Sequence, residues 1–258
     1  MRDIDQALAK AYGARTPVSR AAPDTPPVLP RPHFPIESPP DSEPSFGVAQ
    51  APLNWPETVR ALERAHGERF DRLSDALIEA RDRQNLKVLL FTSCHRAEGR
   101  TTLVLTLARA LARRPGRTLL VDGDLSGPML ARQLGLSPRI GLDDVVEHGQ
   151  AVVDALIEAP DDHLTILPLR AAVSRPRDFL ASPEWSCLMA RLRRDYDLVL
   201  IDGSPLFTGL SAAVLHRSVD AAILVHHKAR TTNRALTRAR EVLDAGGVPL
   251  LGLAETFC

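Results

Sequence analysis

The residues that could do chemistry in this chain fall into a few short groups. Gly99-Arg100-Thr101-Thr102 follows a polar loop, Ser93 to Glu98, and leads into the apolar-periodic run LVLTLARALARR. Asp122 and Asp124 close one apolar run, LLVDGD, and Asp202 closes another, LVLIDG. A loop that ends at a helix N-terminus points its N–H groups at one place, and the helix dipole adds partial positive charge there. The first group therefore suits an anion such as phosphate. Aspartates at strand ends supply the hard oxygens that a phosphate-bound Mg²⁺ takes, and in open α/β sheets ligands sit outside those ends. An Asp in such a place also serves as a turn former or helix cap, and the glycine also serves as an ordinary strand-to-helix turn. It is the coincidence of both strand ends with the loop that favours a nucleotide-type site.

The phosphate-loop pattern G-x-x-x-x-G-K-[ST] is met in part. Its second glycine is Gly99, and its hydroxyl is Thr101, placed to project from the first helical turn as a Mg²⁺ ligand. Cys94 stands for the first glycine and Arg100 for the lysine. Arginine keeps the positive charge but is longer and planar, so phosphate binding is expected to survive better than phosphoryl transfer. The expected cradle is Cys94, His95, Arg96, Ala97, Glu98, Gly99, Arg100, Thr101 and Thr102.

Strands and helices must hold these groups, and the apolar pattern supplies them. Residues 88–91, 118–121, 164–167, 198–201, 221–225 and 250–253 read as buried strands. Helical spacing is expected over 57–83, with a break at Gly67, and over 129–134, 142–147 and 231–245. A further helix runs from a Ser182 N-cap with Pro183 at its first position to about Asp195. The alternation implies an α/β domain over 57–258, doubly wound around a mostly parallel sheet. Ahead of it, residues 1–14 read as a short amphipathic helix with Ile4 and Leu8 on one face, which either frays or docks in a partner groove. Residues 15–56 hold twelve of the chain's 21 prolines and read as a disordered, extended proline-rich linker.

Composition sets the outer bounds. At 258 residues, 44% of them hydrophobic and 25% charged, the chain can bury one substantial core. A formal net charge of zero argues against nucleic acid as a partner. Cys94, Cys187 and Cys258 are far apart, which fits a reducing compartment and argues against a disulfide framework or a zinc site. No apolar run approaches the ~20 residues that span a bilayer, and no signal-peptide core is present. A cytoplasmic chain is expected, one that reaches the inner membrane only through a partner.

The succession TSCHRAEGRTT, LLVDGDLSGP, YDLVLIDGSPL resembles the bacterial tyrosine kinases of capsule and exopolysaccharide systems, within the wider MinD/ParA class of P-loop ATPases. In that family the blocks are called Walker A, Walker A′ and Walker B. The resemblance covers about residues 68–255. It implies ATP or ADP with Mg²⁺ as ligand, and Thr101, Asp122 and Asp202 around the metal. Asp124 is implied as candidate base, with Arg100 neutralising phosphate. It also implies a membrane-anchored partner of the polysaccharide co-polymerase type.

The sequence departs from the family beyond Arg100. An E-x-x-R-x-x-R oligomerisation motif is matched by Glu68, but its arginine positions hold Asp71 and Ser74, so an oligomer is open while the family's ring is in doubt. The expected tyrosine-rich acceptor tail is replaced by an end at Cys258, and the chain's tyrosines are Tyr12 and Tyr196. Thr256 stands where the family places an adenine-reading Asn.

Smaller signals carry less. His226-His227 and His95 lack metal-ligand spacing and read as polar loop residues. Cys94 is either a reactive thiol near a helix N-terminus or a small filler in a near-glycine slot. Arg230, Arg234 and Arg238 form either a solvated face or a docking stripe for an acidic partner or anionic lipid. The reading that follows is an ATP-binding P-loop protein regulating exopolysaccharide synthesis or export. Two alternatives stand beside it: a catalytically inactive pseudo-kinase or adaptor, and a MinD/ParA-like positioning ATPase.

Overall fold

The apolar runs assemble into one eight-stranded sheet. The computed structural model describes residues 48–208 and 218–256, so the expected helix at 1–14 and most of the proline-rich segment lie outside the described residues. In chain order the strands are β1 (Ala49–Gln50), β2 (Val88–Ser93), β3 (Thr118–Gly123), β4 (Ile157–Ala159), β5 (Leu164–Leu167), β6 (Leu198–Gly203), β7 (Ala221–His227) and β8 (Leu250–Thr256). The helices among the described residues are α1 (Glu57–Gln84), α2 (Arg100–Ala112), α3 (Leu130–Gln133), α4 (Leu142–His148), α5 (Val152–Ala155), α6 (Pro176–Ala181), α7 (Pro183–Asp195) and α8 (Asn233–Ala245). Among the described residues the spatial strand order is β1-β4-β5-β3-β6-β2-β7-β8, and only the β4–β5 pair is antiparallel.

Strands β2 and β6 are buried at every position, because helices cover both faces of the sheet. Their side chains alternate between two apolar layers. Leu89 and Phe91 join the layer that holds Leu77 of α1 and Leu107 of α2. Val88 and Leu90 join the layer that holds Trp185 and Leu192 of α7. Ser182 caps α7 as expected, accepting the Trp185 N–H at 3.1 Å. Helix α1 has non-helical backbone at His66, beside Gly67.

The strands run two residues further than their apolar cores. Asp122 pairs in register with Asp202, and Gly123 with Gly203, so the acidic ends of β3 and β6 lie side by side. A Cβ at Gly203 would meet Leu90 Cδ1 at 2.5 Å and the Phe91 carbonyl at 3.1 Å, which is why a glycine follows Asp202.

One expected boundary needs revision. The last residues of the expected linker are part of the domain: β1 pairs with β4, Trp55 is buried, and its indole N–H donates to Asp162 at 2.9 Å. A large apolar side chain among prolines found a surface to cover. The altered positions of the oligomerisation motif are engaged within the domain. Asp71 accepts from Arg114 at 3.1 Å across the α1–α2 contact, and Ser74 is fully buried. Strands β1 and β4 and helices α5 and α6 had no counterpart in the sequence reading.

Candidate phosphate-binding site

The loop between β2 and α2 turns through two left-handed residues, Ala97 at φ 60° and Gly99 at φ 80°. Glycine adopts this region freely, whereas Ala97 holds it against its own Cβ. Glu98, 4% exposed, braces the turn. One carboxylate oxygen accepts the His95 N–H at 2.9 Å, and the other accepts the Thr231 hydroxyl. The Glu98 carbonyl accepts from Thr256 Oγ1 at 2.7 Å. The loop is thereby fastened to Thr231, just past β7, and to the last residue of β8. Thr256, which stands in place of the family's adenine-reading Asn, is here a loop anchor, and the sequence offered no signal for Thr231.

Arg100 opens α2 and is 8% exposed. Its Nε donates to Asp202 Oδ1 at 2.8 Å, Nη2 to Asp124 Oδ2 at 3.1 Å, and Nη1 to Ser93 Oγ at 3.2 Å. Burial opposes its charge, but Asp202 and Asp124 more than restore it, so its pKa lies above the ordinary arginine value. Burial pushes the Asp202 carboxyl up, while Arg100 and a hydrogen bond from Thr101 pull it back. Asp124 also accepts from Arg96 Nη1 at 3.1 Å and from Ser204 Oγ at 3.0 Å. Ser204 was passed over in the sequence, although it follows directly after Asp202-Gly203. Both Asp124 oxygens are thereby occupied, by two guanidinium groups and a hydroxyl.

Asp122 does something other than expected. One oxygen accepts the backbone N–H groups of Met129 at 3.1 Å and Leu130 at 3.0 Å, and the other that of Asp124 at 3.3 Å. The carboxylate turns back to cap the start of α3 instead of facing the loop, and it is fully buried. Burial, reinforced by nearby Asp202, raises its pKa to about 7.

Over the loop opens a cleft of about 290 Å³, lined by residues 96–102 together with Ser93, Asp124, Asp202, Gly127, Met129 and Gln133. Seven of the nine expected cradle residues line it. Cys94 and His95 do not. Cys94 is fully buried in the apolar layer, and burial, with Glu98 adding, pushes its thiol up to about 12, so it is a filler and not a reactive group. The His95 ring packs edge-on against Phe207.

The cradle fits a phosphate group: N–H donors of the first turn of α2, a glycine at its entrance, and two guanidinium groups beside it. The expected Mg²⁺ set fits less well. Asp122 is committed to backbone caps, Asp202 to Arg100, and Thr101 donates its proton to Asp202. Among the described residues, no cluster of three or more His, Cys, Asp and Glu side chains is placed to hold a metal ion.

No family model matches the chain. The tyrosine-protein kinase CpsD of Streptococcus pneumoniae is 27% identical over 169 residues, 65% of this chain and 74% of that protein. The VpsO kinase domain superimposes with a TM-score of 0.66 at 28% identity, covering 75% of this chain and 96% of that domain. The septum site-determining protein MinD of Pyrococcus horikoshii, solved with Mg-ADP, gives a TM-score of 0.53 at 28% identity, covering 65% of this chain and 68% of that one.

Proposed function

For a chain homologous to the bacterial tyrosine-protein kinases, on their branch of the MinD/ParA class of P-loop ATPases, we propose a nucleotide-binding role in regulating exopolysaccharide or capsule synthesis or export. The observation that carries it is the cleft over Gly99, where the N-terminus of α2, Arg96 and Arg100 converge. ATP or ADP would lay its phosphates on the N–H groups of residues 99–102, with Arg100 at their inner end and Arg96 at the rim. For Asp124 to accept a proton, both guanidinium groups would have to leave it for the phosphates. The divalent cation expected with such a nucleotide has no ready set of ligands here.

A second reading, a binding module with little or no turnover, is favoured by one observation: Arg100 is held at three points by Asp202, Asp124 and Ser93. Phosphoryl transfer needs a cation that follows the γ-phosphoryl group as charge spreads over its oxygens. A planar group fixed between two carboxylates cannot follow it as a lysine ammonium does.

Among the described residues, no helix is long and apolar enough to cross a membrane. The partner we infer is a membrane-anchored protein of the polysaccharide co-polymerase type, with this chain peripheral at the inner membrane. Isothermal titration of the purified chain with ADP and ATP tests the nucleotide reading. Saturable binding that a Gly99→Val cradle loses is expected, and no heat with either nucleotide would overturn it. Exopolysaccharide output from a strain lacking the chain tests its setting, and unchanged output would remove that part.

A further inference from the structure

We propose that this site binds its nucleotide without needing a divalent cation, because the Arg100 guanidinium already stands where that charge would act. The inference rests on the nucleotide reading above. Two carboxylates meet at the inner end of the cleft, Asp202 at the end of β6 and Asp124 just past β3. Left alone they would repel a polyphosphate. Arg100 answers both, through Nε on Asp202 at 2.8 Å and Nη2 on Asp124 at 3.1 Å. Arg96, whose side chain is half exposed, adds a second positive charge on Asp124. The charges of Asp202 and Asp124 are thus matched by those of Arg100 and Arg96 with no ion added.

The hydrogen-bond inventory points the same way. A guanidinium carries five N–H donors. Three of those on Arg100 are spent on Asp202, Asp124 and Ser93, which leaves two for phosphate oxygens. Arg96 at the rim can leave Asp124 for phosphate at little cost, since a half-exposed ion pair is screened by water. A Mg²⁺ ion would demand near-octahedral oxygen ligands at about 2.0–2.1 Å. Asp122 is turned away onto the backbone of Asp124, Met129 and Leu130, and the Asp202 oxygen is covered by Arg100. Seating the ion would mean lifting a buried guanidinium off its carboxylates, a separation that leaves charge uncompensated.

Isothermal titration of the full chain with ADP, once in excess Mg²⁺ and once in EDTA, tests this. Dissociation constants within about threefold of each other are expected. Binding weakened more than about tenfold by EDTA would overturn the inference and leave the nucleotide reading standing. No binding in either buffer would overturn both. Arg100→Lys offers the converse. An ammonium cannot span both carboxylates, so a Mg²⁺ dependence of about tenfold should appear in the variant. A folded variant that binds ADP equally well in both buffers would show that Arg100 is not the substitute cation.

Discussion

Arg100 and Asp202 are 102 residues apart in sequence and 2.8 Å apart in space, Nε to Oδ1, both almost wholly buried. Asp124 completes the arrangement at 3.1 Å from Nη2. Removing the guanidinium by Arg100→Ala would leave two carboxylates facing each other with little water. Breaking a buried ionic arrangement from one side costs about 3–5 kcal/mol. Urea unfolding should register a loss of that size, and a loss below about 1 kcal/mol would mean that solvent already reaches the pair.

The pH dependence of stability should carry the mark of Asp122. Burial, with Asp202 second, raises its folded pKa to about 7, against about 3.9 for an unperturbed Asp. A carboxyl that holds its proton more tightly when folded contributes stability that is present at low pH. That stability is lost as pH rises from about 4 through about 7, after which the curve is flat. Asp122→Asn should flatten the slope of unfolding free energy over this window. Identical slopes in parent and variant would remove Asp122 as the source.

A prediction about the domain edge follows from Trp55. It is 5% exposed, donates to Asp162, and has the Arg109 guanidinium 5.2 Å from its ring centroid. Trp55→Ala should cost about 3–5 kcal/mol, as for other large buried aromatics. A chain starting at Glu57 should melt well below one starting at residue 48. Equal melting temperatures would return residues 49–56 to the linker.

Thiol chemistry separates two cysteines. Cys187 is exposed, and Cys94 is buried with its thiol pushed up to about 12. A maleimide at pH 7, read by site-resolved mass spectrometry, should label Cys187 in the native protein and Cys94 only after denaturant is added. Native labelling of Cys94 would show that the loop opens far more readily than its packing suggests.

Much of this could be read from the residues, and the rest failed for physical reasons. The long apolar runs declared β2, β3, β6 and β7, and Ser182-Pro183 declared the start of α7, because each signal is local. The strand ends at Asp122 and Asp202 were legible as acidic positions, yet the direction of Asp122 was not. Its direction depends on how the chain returns seven residues later to offer the Met129 N–H. Glu98 read as one residue of the cradle, and its bracing role stayed hidden because its partners Thr231 and Thr256 lie 133 and 158 positions away. Strand β1 has two residues and β4 three, too short for any period to show.

Arg100 also sets the expected chemistry, and ATP turnover tests that most directly. A cation displaced by about 1 Å from the transferring group costs on the order of a hundredfold in rate. Steady-state hydrolysis by the parent chain should therefore be slow or undetectable, and Arg100→Lys, measured beside it under the same conditions, should raise it. Brisk hydrolysis by the parent that Arg100→Lys abolishes would contradict this, and would mean that the loop has re-formed around arginine as a working catalytic cation.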